Sequence, residues 1–205
     1  MSPLTSNTPL LLESIKIEDG IISNLSYHQK RCDKSRKTLY NSTDRLVLEE
    51  VIHPPKKGLY RCRILYNTQV QKVEYLPYKV KKIQSLKVVS SNLDYALKYA
   101  NRDTLNALLA AHPETDDILI EKEGYLTDTS IANIAFYDGK QWFTPHKPLL
   151  EGTMRQKLLD EGFLQTRKVK KEDLGLYTQV ALMNAMIGFK IIKDINIIKN
   201  INILK

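Results

Sequence analysis

Alternating apolar and polar positions in the first half of the chain predict short strands separated by charged helices. Strands are expected at 10–17 and 21–25, joined by the turn "EDG", and again in "GLYRCRILYN", "VQKVEYLPY" and "SLKVVSS". The stretches "YHQKRCDKSRKTLY" and "DRLVLEEVI" predict helices, and "HPPKKG" ends the second of them. Together these elements indicate a small α+β half.

The second half begins with a predicted helix and continues as a series of strands. "NRDTLNALLAAH" places Leu105, Leu108, Leu109 and His112 on one helical face. The stretch from "DDILIEK" to "KQWFTP" alternates like strands, with turns at 123–124 and at the Asp–Gly pair 138–139. A helix in "MRQKLLDEGF" and strands in "LQTRKVK" and "QVALMNAM" follow. We therefore predict an α+β fold with a small N-terminal subdomain at 1–91 and a C-terminal subdomain at 92–205, joined near 90–94.

Composition narrows the class of protein. The chain is 42% apolar and 26% charged, as in ordinary globular proteins, and no apolar run approaches the ~18 residues of a membrane span. The start "MSPLTSNTPL" has neither the basic region nor the apolar core of a secretory signal. Cys32 and Cys62 are too few for a disulfide scaffold and do not match zinc-ligand spacing. We expect a cytoplasmic protein with no metal and no membrane partner.

The formal net charge of +8 comes largely from "PPKKG", "YKVKK" and "TRKVKKED". Such a surface attracts phosphate or carboxylate, although solvated lysines on strands and turns would explain it equally well. No arginine–aromatic stripe or nucleic-acid-binding motif occurs, so no nucleic-acid partner is expected. The C-terminal run "IIKDINIIKNINILK" predicts a strand followed by a tail, to which we attach no function.

The stretch "TPHKPLLEGTMRQ" predicts an unusual helix start. Two prolines hold the backbone open, Gly152 allows a sharp turn, and the spacing Thr153-x-x-Gln156 matches a capping box. Exposed N–H groups and the helix dipole would make this start a site for an anion. The alternative is a helix that caps itself and binds nothing.

Three charged side chains stand out for their surroundings. Lys98 lies among apolar neighbours in "YALKYAN", and desolvation there would lower its pKa and make the amine nucleophilic. Asp128 is flanked by hydroxyl residues in "GYLTDTSIANI" and could pair with a cationic ring nitrogen. Arg31 lies on an early helix. The alternatives are an exposed lysine, an aspartate in a local turn and a solvated arginine.

Five segments, taken in order, resemble the class IV aminotransferase family, which comprises the fold type IV pyridoxal-phosphate enzymes. "ESIKIEDGIISNLSYHQKR" resembles its strand–DG–strand–H-x-x-R run, and "LKYANR" its cofactor-lysine segment. "GYLTDTSIANIAF", "FTPHKPLLEGTMRQ" and "LMNAMIG" resemble G-x-v-t-E-x-x-x-x-N-i-F, T-P…iL-x-G-i-t-R and N-a-l-m. The K-x-x-N-R form and the last segment are most similar to the aminodeoxychorismate lyases of the family.

The resemblance implies a role for each unusual residue. Lys98 would form the Schiff base with pyridoxal phosphate and later shuttle protons, and Asp128 would keep the pyridine nitrogen protonated. The cofactor phosphate would be held by Arg31, Gly152, Thr153, Asn184 and Ala185. The resemblance also implies a homodimer and a two-part fold like that of D-amino acid and branched-chain aminotransferases.

The chain departs from the family pattern at its start and at Asp128. Aspartate stands where the family has glutamate, and the N-terminal part is shortened, with Glu13 and Ser14 where the family has an E-T pair. We place Ser14 on the substrate side. Arg61 and Arg63 are expected to point in opposite directions, and Arg63 is assigned to the substrate carboxylate.

Three functions remain open from the sequence. The first is a lyase that converts 4-amino-4-deoxychorismate to 4-aminobenzoate and pyruvate in folate synthesis, which the lyase-like segments favour. The second is an aminotransferase acting on branched-chain or D-amino acids. The third is a non-catalytic relative or a basic nucleic-acid-binding protein.

Overall fold

The computed structural model describes residues 8–198, so the ends at 1–7 and 199–205, including the tail predicted there, lie outside the described residues. The chain divides into two compact units. The first contains the chain up to Val80 together with Leu97–Arg102, and the second contains Lys81–Ala96 together with the chain from Asp103 onward. Both units combine a β-sheet with a few helices, which confirms the predicted α+β class.

The first unit is an antiparallel four-stranded sheet with a helix packed on one face. Its strands are β1 (Leu11–Glu18), β2 (Ile21–Ile22), β3 (Leu59–Tyr66) and β4 (Val70–Pro77), in the order β2-β1-β3-β4. The helices are α1 (Leu25–Tyr40) and the single turn α2 (Leu48–Val51). The turn "EDG" joins β1 to β2 with positive φ at both Asp19 and Gly20, as hairpin turns of this length require.

Two elements of the first unit are shorter than predicted. The second strand ends at Ile22 because Asn24 takes a left-handed conformation (φ 53°) and the helix begins at Leu25. The helix predicted in "DRLVLEEVI" shrinks to one turn. It begins only at Leu48, after the extended Val47, and it ends before the extended Ile52, which the prolines at 54 and 55 follow.

The first unit buries one face of its sheet. Alternation along β1 and β3 brings Leu11, Ile15, Ile17, Cys62 and Ile64 together with Cys32 of α1. Glu13 occupies the same side of β1 as the apolar residues and is fully buried. A carboxylate therefore lies within an otherwise apolar layer and requires partners there.

The second unit is built around a larger mixed sheet. Its elements, in chain order, are β5 (Ser85–Ser90), α3 (Asp103–Ala110), β6 (Asp117–Lys122), β7 (Tyr125–Thr129), β8 (Asn133–Tyr137), β9 (Trp142–Pro145), α4 (Thr153–Asp160), β10 (Leu164–Arg167), a 3₁₀ turn at Lys171–Leu176, β11 (Gln179–Asn184), β12 (Gly188–Ile192) and β13 (Asn196–Ile198). The sheet order is β10-β9-β8-β7-β6-β5-β13, with β11 paired to β8 and β12. Strands β5 and β6 are parallel, and the chain crosses between them through α3.

The observed units differ from the predicted limits of 1–91 and 92–205. Strand β5 belongs to the second unit, where it pairs with β6. Leu97–Arg102 returns to the first unit because its backbone pairs with the start of β1. Leu12 N donates to Lys98 O at 3.1 Å, and Ala100 N donates to Leu10 O at 2.8 Å. Lys98 is therefore part of the N-terminal unit.

Among residues 8–198, no helix combines the length and the apolar character that crossing a membrane requires.

Candidate functional site

Lys98 has a half-buried side chain on a strained backbone. Its φ of 54° lies in the left-handed region, which non-glycine residues seldom adopt. Burial, together with the charges of Arg31, Arg102 and Arg61, lowers the pKa of the amine from 10.5 to about 7, while Glu13 acts in the opposite direction. A large fraction of the amine is uncharged at neutral pH, which is the form that attacks an aldehyde.

Arg31 is held by a buried carboxylate instead of being solvated. His28 and Arg31 lie three residues apart on α1 and so share one helical face. Arg31 Nε donates to Glu13 Oε1 at 2.9 Å and Nη2 donates to Oε2, while His28 Nδ1 lies 2.6 Å from Oε2. Both carboxylate oxygens of Glu13 are therefore occupied from the same helix.

The Glu13 cluster is charged in the folded state. Burial would raise the pKa of Glu13, but the Arg31 charge and the hydrogen bonds from His28 and Arg31 lower it to about 2. Burial lowers the pKa of His28, and this effect exceeds the opposing influence of Glu13. We infer that a neutral imidazole donates its Nδ1–H to an ionised Glu13 that is paired with Arg31.

Acid should destabilise the protein through Glu13. Its pKa is about 2 when folded and about 4.5 when unfolded, so its stabilising contribution is complete above pH 4.5 and is lost as the pH falls toward 2. The contribution is about 3 kcal/mol. Urea unfolding at a series of pH values should show the difference between wild type and Glu13→Gln narrowing through this window. A constant difference would contradict the assignment.

The two arginines of β3 lie on one face, so the prediction that they point in opposite directions was wrong. Side chains two apart along a strand share a face, and buried Cys62 points to the other side. Arg63 lies opposite Ser14 and its Nη1 donates to Glu74 Oε2 at 3.0 Å. Arg61 lies opposite Lys16, and its buried Nε has no hydrogen-bond partner among the described residues. Arg63 is thus already paired.

In the second unit, Asp128 is buried at the end of β7 within a hydrogen-bond network. Its Oδ1 accepts from Asn133 Nδ2 at 2.7 Å, and its Oδ2 accepts from Leu150 N at 2.8 Å. Burial raises the pKa of Asp128 to about 6, although these hydrogen bonds and the charge of Arg155 act in the opposite direction. A carboxylate oxygen can accept a second bond, so a cationic N–H remains a suitable further partner.

Asn133 connects Asp128 to the loop before α4. Its Nδ2 also donates to Leu150 O at 2.8 Å. A Cβ added at Gly152 would lie 1.9 Å from Asn133 Oδ1, so no larger residue fits at 152 without displacing the amide. The sequence analysis did not single out Asn133, although it occupies the asparagine position of the motif "GYLTDTSIANIAF".

The start of α4 differs from the predicted capping box. Gly152, which has no side chain, is the N-cap, and Thr153 is already the first helical residue. Gln156 Nε2 donates to Asp160 Oδ1 at 2.7 Å, so it does not reach back to the start. The prediction was wrong because the glycine, not the threonine, takes the extended conformation before the first turn. The positive end of the helix dipole at this start suits an anion.

Arg155 is a further charged residue of this region that the sequence analysis did not single out. It is 5% exposed, and Nη2 donates to Pro145 O at 2.9 Å. Burial lowers its pKa, and the nearby Asp128 and Glu151 charges act in the opposite direction. Arg155 therefore supplies a buried positive charge close to Asp128.

Asn184 is the last residue of β11, and Ala185 begins the turn to β12. Asn184 Oδ1 accepts from Met186 N at 2.9 Å and from Ile187 N at 3.0 Å, while Nδ2 donates to Ile131 O at 3.2 Å. The Asn184 side chain thus shapes the turn and ties it to the loop that follows Asp128.

The structure groups the predicted residues by unit. The first unit holds Lys98, Arg31, Ser14 and Arg63, and the second holds Asp128, Gly152, Thr153, Asn184 and Ala185. Within residues 8–198, no group of three or more histidine, cysteine or acidic side chains could hold a metal ion.

Comparisons with known proteins place these residues in a family context. The model of the family described as amino-transferase class IV matches residues 10–195. A Haemophilus influenzae protein, named only as uncharacterized, is 37% identical over 184 residues, covering 87% of this chain and 98% of its own. A Schizosaccharomyces pombe protein named as a candidate aminodeoxychorismate lyase is 26% identical over 185 residues, covering 81% of this chain and 78% of its own.

Solved structures show the same fold. The crystal structure of a candidate 4-amino-4-deoxychorismate lyase from Haemophilus somnus is 39% identical, with a TM-score of 0.81 over 88% of this chain and 97% of that one. The branched-chain amino acid aminotransferase of Escherichia coli is 14% identical, with a TM-score of 0.71 over 94% of this chain and 77% of that one, and it supports the predicted fold type alone. With a family model matching nearly its whole length, the chain belongs to the class IV aminotransferase family.

Proposed function

We propose that the chain is a pyridoxal-phosphate-dependent lyase that converts 4-amino-4-deoxychorismate to 4-aminobenzoate and pyruvate in folate synthesis. The likeness to the candidate lyases of Haemophilus somnus and Schizosaccharomyces pombe supports this reaction. The lyase-like segments "KYANR" and "LMNAMIG" support it as well.

The observation that carries the proposal is the Lys98 amine. An amine with a pKa of about 7 is suited to bind an aldehyde covalently at neutral pH. Other residues suit the cofactor too: Asp128 offers a buried carboxylate to the pyridine nitrogen, and Arg31 and the start of α4 offer cationic and N–H groups to the phosphate. When bound, the cofactor supplies an electron sink that stabilises a carbanion.

The residues of this chain would act as follows. Lys98 would hold the cofactor, and its Nζ would take the proton from the ring carbon that bears the substrate amine. As the bond between the neighbouring ring carbon and the ether oxygen breaks, Nζ would pass that proton to the departing enolpyruvate, which leaves as pyruvate, and the ring would become aromatic. Asp128 holds a proton on the pyridine nitrogen. We propose that Asn184 and Ala185 also line the phosphate site.

The proposed substrate carries two carboxylates, which the net positive charge of the chain attracts. Ser14 and Arg63 remain our proposed substrate residues. The pairing of Arg63 with Glu74 makes Arg61, on the same face, a second candidate for a carboxylate. Separate replacement of each arginine by methionine would distinguish them, because loss of the substrate-binding one raises KM.

An aminotransferase acting on branched-chain or D-amino acids is the second candidate, and the family membership supports it. The same cofactor residues would serve that reaction. A non-catalytic relative is the third. The homodimer and the cytoplasmic location remain predictions.

One assay separates these functions. The protein loaded with pyridoxal phosphate is incubated with 4-amino-4-deoxychorismate, and 4-aminobenzoate and pyruvate are measured in equal amounts. A lyase forms both products without a second substrate and leaves the cofactor in its aldehyde form. Accumulation of the pyridoxamine form with an amino acid, without either product, would favour the aminotransferase. No cofactor uptake would favour the non-catalytic relative.

A further inference from the structure

The cluster of Glu13, His28 and Arg31 has no role in the reaction proposed above beyond the presence of Arg31. All three side chains are buried or nearly so, with side-chain exposures of 0% for Glu13 and His28 and 11% for Arg31. Glu13 comes from β1 and the other two from α1. A buried carboxylate held this firmly requires an explanation beyond packing.

The contacts fix the guanidinium from one edge. Arg31 donates from Nε and Nη2 to the two carboxylate oxygens of Glu13. These two parallel hydrogen bonds set the orientation of the guanidinium plane as well as its distance from Glu13. His28 in turn holds Oε2 at 2.6 Å. The orientation of the arginine is therefore determined before any ligand binds, which removes the entropy that a flexible arginine would lose on binding.

A second arginine on the same helix shows what a purely structural role looks like. Arg36 is buried, and its guanidinium donates to the backbone carbonyls of Asp44, Asn67 and Thr68. These bonds fasten loops to α1. Arg31 is instead held by the side-chain carboxylate of Glu13, and its charge lowers the pKa of Lys98.

We propose that Glu13 and His28 are positioning residues that hold the Arg31 guanidinium ready for a phosphate monoester, and so give the protein its preference for pyridoxal phosphate over pyridoxal. This inference rests on the proposed cofactor. It assigns functions to Glu13 and His28 that act through Arg31.

The test compares two aldehydes that differ only in the phosphate. Pyridoxal phosphate and pyridoxal are titrated into wild type and Glu13→Gln, and binding is followed by the absorbance of the cofactor. The preference for the phosphate is the dissociation constant of pyridoxal divided by that of pyridoxal phosphate. We expect this ratio to fall at least about tenfold in Glu13→Gln, while the dissociation constant of pyridoxal stays within about threefold of that of wild type. Glu13→Asp, which keeps the charge, should recover part of the ratio.

Matched variants separate positioning from stability. Arg36 lies on the same helix as Arg31, and Asp44→Asn removes its carboxylate partner. This variant should leave the ratio of dissociation constants unchanged. In an Arg31→Met background, Glu13→Gln should have no further effect on the ratio. If Glu13→Gln does not fold, His28→Ala serves instead, and a reduced ratio is again expected.

The outcomes are distinct. The positioning role would be overturned if Glu13→Gln had the same ratio of dissociation constants as wild type. The same holds for His28→Ala where that variant replaces Glu13→Gln. Wild type without preference for the phosphorylated aldehyde would overturn it as well. Failure of wild type to bind either aldehyde would instead reject the proposed function.

Discussion

Replacing Lys98 by alanine should reduce formation of 4-aminobenzoate at least about 10³-fold, because the variant loses both the covalent attachment of the cofactor and the group that moves the proton. The loss should appear in kcat, measured with saturating cofactor and substrate. Lys98→Arg should be equally inactive, since it keeps a positive charge but has no nucleophilic amine.

The stability of the folded protein serves as the control for these variants. Alanine and arginine tolerate the left-handed backbone at 98 no better than lysine does, so the backbone strain stays the same. The buried amine binds fewer protons folded than unfolded between pH 7 and 10.5, so wild type loses stability as the pH falls through this range. Lys98→Ala should remove that dependence. Turnover near the wild-type rate in Lys98→Ala would contradict the mechanism.

Gly152→Ala should impair both stability and cofactor binding. The new Cβ would lie 1.9 Å from Asn133 Oδ1, so the amide must move and its bonds to Asp128 and Leu150 are broken. We expect the free energy of unfolding to fall by about 3 kcal/mol, from overpacking and from the lost bond to a charged group. Pyridoxal phosphate should bind at least about tenfold more weakly. Urea unfolding and absorbance titration measure the two effects.

Gly175→Ala is the matched control, because nothing lies within 4 Å of a Cβ at that position. Its stability should stay within about 1 kcal/mol of wild type. In an Asn133→Ala background, Gly152→Ala should cost little further stability, since the clash is gone. Equal stability and equal cofactor affinity for Gly152→Ala and Gly175→Ala would show that the Asn133 contact is not the constraint.

The sequence predicted the elements where a local pattern decides them. The Asp–Gly pair at 138–139 predicted the hairpin between β8 and β9, and Gly139 has a φ of 95° there. The helix in "DRLVLEEVI" was overestimated at its start, because residues 44–47 precede the first helical residue, Leu48, and Val47 is extended.

Long-range pairing decided what the sequence did not predict. Lys98 joins the first unit through backbone bonds to residues of the β1 region, more than eighty positions earlier. The buried position of Glu13 was visible in the alternation of β1, where a carboxylate stands on the apolar side. Its partners on α1 could not be identified without the packing of that helix against the sheet.

The most direct measurement is borohydride reduction of the protein loaded with pyridoxal phosphate, followed by peptide mapping. We predict a single pyridoxyl group on the peptide that contains Lys98, with labelling that rises as the pH passes through about 7. A label on any other lysine, with the Lys98 peptide unmodified, would contradict the account.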